Sequence, residues 1–319
     1  MTLSDPSPAA SSAHPSLAVP PVEASTPLGF VGLGVMGAGM ARRLLDGGFP
    51  LTVHNRNAGA AEALRAEGAA TGTLEEIGRA ARVVLVCVPD TAASEAVLFG
   101  PGGLAASLRP GSCVIDCSTI AADGARRLAE RLAAQGVAYL DAPVSGGQQG
   151  ARDGTLVCMV GGDAGAFEAC RPVFDRIAAR AVHMGPAGNG QVTKACNQVA
   201  VAAAMLGVAE SLALARRQGV DPARVREVLL GGTASSVAME RFGPRILGGD
   251  HQPGFRAVLM RKDLRLALDN GRTGASYMPV TALAAQLLDV VVNQGRGERD
   301  WNVLGALFAE WSGAPHAGD

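Results

Sequence analysis

The sequence predicts two domains, an α/β domain with a mostly parallel sheet and then an all-α domain, joined by a long interdomain helix. Three observations predict them. Short continuous apolar runs ending in turn residues recur from Gly29 to Met184, the pattern of strands buried on both faces. After Glu210 the strand signals stop and the remaining patterns read as helical. Between the two regimes, Gly188–Glu210 (GNGQVTKACNQVAVAAAMLGVAE) is a glycine-rich turn opening a helix whose alanines and valines suit a buried position. The expected boundaries are an extension at 1–27, the α/β domain at 28–188, the linking helix at 189–217 and the helical domain at 218–315.

A chain of 319 residues is long enough for two domains, and 48% hydrophobic against 18% charged residues provides for a large core. A net charge of −1 without a basic patch argues against nucleic acid and against an anionic membrane surface as partner. Aromatic residues, at 4%, are too few for a base-stacking platform. The apolar stretch from Gln191 reads as too short to span a membrane, and Lys194 interrupts it. Cys87, Cys113, Cys117, Cys158, Cys170 and Cys196 include no CxxC pair and no zinc-like Cys/His spacing. They read as reduced thiols of a cytoplasmic protein, with no metal site. Met1–Pro27, rich in Ser, Pro and Ala, lacks the apolar core of a signal peptide and reads as a disordered extension.

The first strand runs into glycines. Gly29–Val35 is GFVGLGV, and Gly32, Gly34 and Gly37, with Leu33, Val35 and Met36 between them, form G-x-G-x-x-G ahead of a helical stretch, Met36–Leu45. A strand, this spacing and a helix together are the fingerprint of a Rossmann-type dinucleotide site. Gly32 permits the tight turn, Gly34 lets the backbone approach a pyrophosphate, and Gly37 lets helix and strand pack closely. The pyrophosphate then sits on the helix N-terminus, where free N–H groups favour an anion. The second strand, Leu51–Asn55, ends in Asn55-Arg56-Asn57. The carboxylate that holds an NAD ribose is absent there, and an arginine stands ready to pair with a 2′-phosphate. NADP(H) is therefore the expected cofactor, with NAD the alternative if Arg56 is only a solvated surface residue.

Val83–Val88 and Ser112–Cys117 read as further central strands. Val88 and Pro89, at the carboxyl end of one, should touch the cofactor. Ser118 and Thr119, at the end of the other, either face the same crevice or cap the next helix. Val137–Ala142 leads into Pro143-Val144-Ser145-Gly146-Gly147, where a serine and two glycines can turn successive N–H groups toward a carboxylate or form an ordinary turn. Leu156–Val160 and Ala181–Met184 are the last strands, and His183 reads as structural.

Near the start of the linking helix, Lys194, Asn197 and Gln198 share one face at i, i+3 and i+4. Among alanine and valine the lysine loses hydration, which favours its neutral form and suits it to acid–base work near neutral pH. Of the 28 Lys and Arg residues only Lys194 and Lys262 are lysines. Arginine does not release its proton in proteins, so a chain that otherwise uses arginine keeps lysine where a proton must move. Chance survival in an arginine-biased composition is the competing explanation. Beyond it, Leu212–Gln218, Asp221–Leu230, Leu264–Asn270, Val280–Gln294 and Asn302–Phe308 read as helices, and Asp221-Pro222 as an N-cap with proline at the first helical position. Gln252–Asp263, QPGFRAVLMRKD, reads as a turn, an apolar segment and then Lys262 with Asp263.

Four of these stretches, taken together, resemble the β-hydroxyacid dehydrogenase family from about residue 28 to about 310. GFVGLGVMGAGMARRL resembles its cofactor signature, DAPVSGG (Asp141–Gly147) its substrate motif and GNGQVTKACNQ (Gly188–Gln198) its catalytic motif. PGF (Pro253–Phe255) with RKD (Arg261–Asp263) resembles its C-terminal contacts. The resemblance implies that Lys194 is the catalytic acid/base. It implies that Ser145, Gly146 and Gly147 hold the substrate carboxylate, that Phe255 closes the pocket, and that Thr119, Lys262 and Asp263 lie at the cofactor. Within the family, KACNQ, the Gly-Gly after Arg224–Leu230 and QPGF are most similar to reductases of 2-hydroxy-3-oxopropionate (tartronate semialdehyde). 3-Hydroxyisobutyrate dehydrogenases, and reductases of glyoxylate or succinic semialdehyde, are the alternatives. Many members carry asparagine four residues after the lysine. Here that place is Gln198, with Asn197 before it, so either amide could orient the substrate. Imine reductases share the cofactor half but usually lack the lysine and an intact DAPVSGG. A non-catalytic NADP-binding protein would need neither. The expected partners are a small carboxylic acid and further copies of the chain, as a homodimer or homotetramer.

Overall fold

The runs LGFV, VVLV, CVID and AYLD are buried along their whole length. Parallel strands need crossover connections, the crossovers are helices, and helices cover both faces. In the computed structural model, which describes residues 17–313, these runs are four strands of a six-stranded sheet, the first three inside it and AYLD at its edge. Its members are β1 (Leu28–Val31), β2 (Leu51–His54), β3 (Ala70–Thr71), β4 (Val83–Val86), β5 (Cys113–Asp116) and β6 (Ala138–Asp141). Their order is β3-β2-β1-β4-β5-β6, with every pairing parallel. The order reverses between β1 and β4, so the crevice beyond the carboxyl ends of those strands is the ligand position of such a sheet. One face packs Phe30, Leu85 and Ile115 against Met40 and Leu44 of the Val35–Asp46 helix. The other packs Val84, Val86 and Val114 against Ile77, Leu98 and Leu128. β3 is a two-residue edge strand, too short to show a period in the sequence.

The last two strands read from the sequence do not extend this sheet. β7 (Val144–Ser145), β8 (Leu156–Val160) and β9 (Ala178–His183) form a separate three-stranded sheet, β7 antiparallel to β8 and β8 parallel to β9. The chain leaves the main sheet at Pro143, which has no N–H for a ladder. Among the described residues one isolated backbone bridge, Asp141 with Gly161, joins the two sheets.

The helix Asn189–Arg217 follows, 29 residues long. Around it pack Pro222–Leu230, Val237–Leu247, Ala257–Thr273, Pro279–Val291 and Leu304–Trp311, with a core that includes Met205, Leu212, Met260, Leu264, Leu288 and Leu304. Asp221 caps the first of these by accepting from Ala223 N, with Pro222 at the first helical position. One helix has no counterpart in the sequence reading, and one reading is extended. Val237–Leu247 is a helix despite Gly243 and Pro244, because Ser236 caps it through Met239 N and Met239 and Ile246 bury. The apolar segment after Phe255 is the first half of one 17-residue helix that contains Lys262 and Asp263.

Two expectations are corrected. The linking helix carries an 18-residue window of mean hydropathy 1.7 and is, by length and composition, long and apolar enough to cross a membrane. It is therefore not too short, but half of that window is buried inside the protein, where the same composition builds the core of the helical lobe. The extension is not disordered throughout. Residues 1–16 lie outside the described residues, but in Leu17–Pro27 the Val22 side chain is 4% exposed and its N–H donates to Ala169 O at 2.9 Å. Leu17 and Val19 pack on the same core. An irregular segment that buries one valine among prolines leaves no apolar period to read.

Candidate active site

Gly32 has a left-handed φ of +94°, and a Cβ there would lie 2.2 Å from the Cys87 carbonyl oxygen. On Gly37 it would lie 1.9 Å from the Gly32 oxygen. Strand, turn and helix thus touch with no room for side chains. Gly34 is the opposite case: a Cβ would meet nothing within 4 Å. It is the N-cap of Val35–Asp46 and supplies no side-chain cap. A helix N-terminus without a side-chain partner, beside open space, is a cradle for an anion. The residues present therefore fit a dinucleotide pyrophosphate.

The end of β2 braces this turn. Asn55 Oδ1 accepts from Leu33 N at 3.0 Å and its Nδ2 donates to Asn57 O at 2.8 Å. Asn57 caps the next helix by accepting from Gly59 N, and Arg56 between them is exposed. Beyond β4 and β5, Val88 N donates to Ser118 Oγ at 2.8 Å. The Ser118 hydroxyl thus links two loops, while the cap position of the following helix belongs to Ala121. The carbonyls of Pro89 and Thr119 both accept from Lys262 Nζ, which reaches across from the helical lobe and pairs with Asp263 at 3.1 Å.

Lys194 is 7% exposed, and its Nζ donates to Val144 O at 2.8 Å. Burial pushes this amine below the ordinary lysine range, with Asp263 opposing and Lys262 reinforcing the shift. Val144 immediately precedes Ser145, Gly146 and Gly147, so this bond seats the amine beside that turn. Gly146 and Gly147 have φ of +136° and +67°, and a Cβ on Gly147 would meet nothing within 4 Å. The two amides part company. Gln198, 4% exposed, accepts from Asn197 Nδ2 at 2.8 Å and donates to Asp263 Oδ2 at 2.6 Å. Both ends of its amide are occupied, and Asn197 is the half-buried one. Asp263, expected at the cofactor, is 3% exposed and holds Gln198 and Lys262. Phe255 is held by a different set of contacts. Its ring packs on the helical core, and its N–H and that of Gly254 donate to the buried Asp300, which also pairs with Arg245 at 3.2 Å.

Sequence reasoning missed several buried polar residues. Asp116 accepts from Ser118 N and from Tyr139 Oη, and burial pushes its carboxyl up. Gln191, on the first turn of the linking helix, accepts from Ile120 N at 3.1 Å and donates to Ser118 O at 2.9 Å. Asp141 accepts from Gly188 N at 2.7 Å and Gln191 N at 2.8 Å. Burial pushes its carboxyl up to about 6, with those two N–H bonds opposing. The available signal was an acid closing an otherwise apolar run, CVID and AYLD, since buried acids are rare unless partnered.

Comparison with known proteins follows this division of the chain. Residues 27–185 match the family described as the NAD binding domain of 6-phosphogluconate dehydrogenase. Residues 188–307 match that described as the NAD-binding domain of NADP-dependent 3-hydroxyisobutyrate dehydrogenase. The chain is 38% identical over 277 residues to the 2-hydroxy-3-oxopropionate reductase of Escherichia coli K12, covering 87% of this chain and 95% of that one. It is 38% identical over 289 residues to an NAD-dependent L-serine dehydrogenase of Pseudomonas aeruginosa, covering 88% and 97%. The solved structure of Psf3 in complex with NADP+ and 2-OPP superposes with a TM-score of 0.82 at 32% identity, covering 88% of this chain and 99% of that one.

Proposed function

The chain belongs to the β-hydroxyacid dehydrogenase family, and from that premise we propose that it is an NADP(H)-dependent reductase of a small 3-oxo acid, 2-hydroxy-3-oxopropionate first among them. The observation that carries this reading is the buried Lys194 amine, bonded to Val144 O at 2.8 Å on the corner that leads into Ser145-Gly146-Gly147. It supports one site where a carboxylate and a reacting oxygen are held a short distance apart.

In the reductive direction Lys194 gives its proton to the substrate oxygen as negative charge develops there, and in the oxidative direction it accepts that proton. A reduced nicotinamide, when bound, supplies hydride to the carbonyl carbon. Ser145, Gly146 and Gly147 hold the substrate carboxylate through hydroxyl and backbone N–H groups. Asn197 orients the substrate, since Gln198 is committed to Asp263. Gly32, Leu33, Gly34, Val35, Met36 and Gly37 hold the pyrophosphate, Arg56 the 2′-phosphate, and Val88, Pro89, Thr119 and Lys262 line the nicotinamide side. Phe255 closes the pocket from the helical lobe.

The linking helix also leaves Val192, Cys196, Ala200, Ala203, Gly207 and Leu214 exposed along one side, with Glu210 among them. A mostly apolar stripe of that length supports a homodimer or homotetramer, which light scattering on the purified protein would test.

Steady-state kinetics test the function. The panel is tartronate semialdehyde, methylmalonate semialdehyde, succinic semialdehyde and glyoxylate for reduction, and L-serine and 3-hydroxyisobutyrate for oxidation, each with both cofactors. The expected result is the highest kcat/KM for tartronate semialdehyde with NADPH. A higher value for L-serine with NAD would replace the substrate and cofactor while keeping the role of Lys194. No turnover with any of them would favour a non-catalytic NADP-binding protein.

A further inference from the structure

We propose that Asp141 is the positioning residue of Lys194: its carboxylate pins the first turn of the linking helix to the end of β6 and so sets where the amine lies. The inference rests on the reading of Lys194 as the acid/base.

A helix N-terminus has orphaned N–H groups that favour an acceptor, ideally an anion. The linking helix supplies no side-chain cap of its own, because its N-cap is Gly188 at a left-handed φ of +89°. The acceptor comes instead from another element. Asp141 Oδ1 takes Gly188 N at 2.7 Å and Oδ2 takes Gln191 N at 2.8 Å. Three residues along the same corner, Val144 O takes Lys194 Nζ at 2.8 Å. Gln191 and Lys194 are three residues apart and share a helix face. The corner 141–144 therefore grips one face of the helix at two places, the backbone of its first turn and the amine one turn later.

The junction has no slack. A Cβ on Gly190 would lie 2.4 Å from Asp141 O and 2.8 Å from Oδ2, and one on Gly161 would lie 2.5 Å from Oδ1. The Gln191 side chain, bonded to Ser118 O and Ile120 N, fixes the rotation of the same turn from a second loop. The Lys194 amine hydrogen-bonds to Val144 O alone among the described residues. A small displacement of the first turn would take it off that carbonyl.

D141N keeps the size of the side chain but turns an N–H donor toward the helix N–H groups. Its kcat is expected to fall on the order of tenfold to a hundredfold, as misplaced catalytic groups do, with KM for NADPH unchanged. In a K194A background D141N should cost little more, since the two residues act as a unit. Losses that multiply instead would make Asp141 a general stabiliser and overturn the proposal. A second readout does not depend on turnover. The chain has two lysines, so protein isotopically labelled at lysine Cε gives two side-chain NMR signals. D141N should move the Lys194 signal and leave that of Lys262, and an unmoved Lys194 signal overturns the proposal. If D141N does not fold, D141S, which retains a capping oxygen, carries the same measurements; if neither folds, Asp141 is a folding residue and the assignment falls. Should K194A keep its turnover, the acid/base reading fails, and the NMR arm still decides whether Asp141 places the amine.

Discussion

The junction between the lobes holds both lysines of the chain, and it keeps them in different ways. Lys194 is 7% exposed and its amine meets one neutral acceptor, the carbonyl of Val144. The Lys262 side chain is 25% exposed and meets two carbonyls and a carboxylate, drawn from both lobes. The first amine has lost water and gained little in return, which favours its neutral form. The second is a tie that holds the helical lobe to the loops after β4 and β5. Sequence sets Lys194 on a helix face with two amides and Lys262 beside Asp263, and the structure gives the two amines different surroundings.

Replacing Lys194 should separate the two most sharply. K194M is expected to lower kcat by about a hundredfold or more, the scale of a lost acid/base, with NADPH affinity unchanged. The same change removes a poorly compensated buried amine, so the melting temperature should rise by about 2 °C or more. A K194M enzyme that turned over normally, or melted lower, would break the contrast.

The pH dependence follows in sign. Oxidation needs the neutral amine, so its kcat should rise with pH through the lowered pKa of Lys194 and level off before the ordinary lysine value. Reduction needs the charged amine and should fall over the same interval. Stability follows the same group. Folded Lys194 holds its proton less tightly than the unfolded chain does, so the unfolded chain binds more protons between the two pKa values and stability rises with pH there. K194M should flatten that slope in denaturant titrations at several pH values.

K262M probes the other side of the contrast. It leaves Asp263, 3% exposed, with Gln198 as its remaining partner. The expected loss is about 1–3 kcal/mol of stability, below that of a fully buried pair because Lys262 is partly solvated. KM for the cofactor should rise more than kcat falls. Urea midpoints and kinetics for K262M beside K194M test this, and two variants that behaved alike would show that the surroundings do not distinguish the amines.

What could be read beforehand has a physical pattern. Buried parallel strands such as VVLV and the glycine turn at Gly32–Gly37 carry their signal within a few consecutive residues. So did the face of Lys194, Asn197 and Gln198. What escaped depends on partners far along the chain. Asp141 meets Gly188 and Gln191 some 47 and 50 residues later. Gln198 meets Asp263 across 65 residues, a partner that the i, i+3, i+4 spacing does not show. The separate β7–β9 sheet follows from the chain leaving the main sheet at Pro143, and Val22 is buried where irregular Leu17–Pro27 packs on the core. No local period encodes either.

Arg56 extends the comparison to a cation at the wet extreme. It is exposed, on the short link between β2 and the next helix, and flanked by Asn55 and Asn57, whose side chains are occupied in bracing that link. Among the described residues none bonds its side chain, so it can meet a phosphate from solvent. An exposed pair of this kind contributes little, so R56A should lower kcat/KM with NADPH by only roughly two- to fivefold and leave the NADH value unchanged. Because the contribution is electrostatic and solvent-facing, the difference between wild type and R56A should shrink as salt is raised. Equal losses with both cofactors would mean that Arg56 acts on the fold of the link, and the preference for NADPH would need another source.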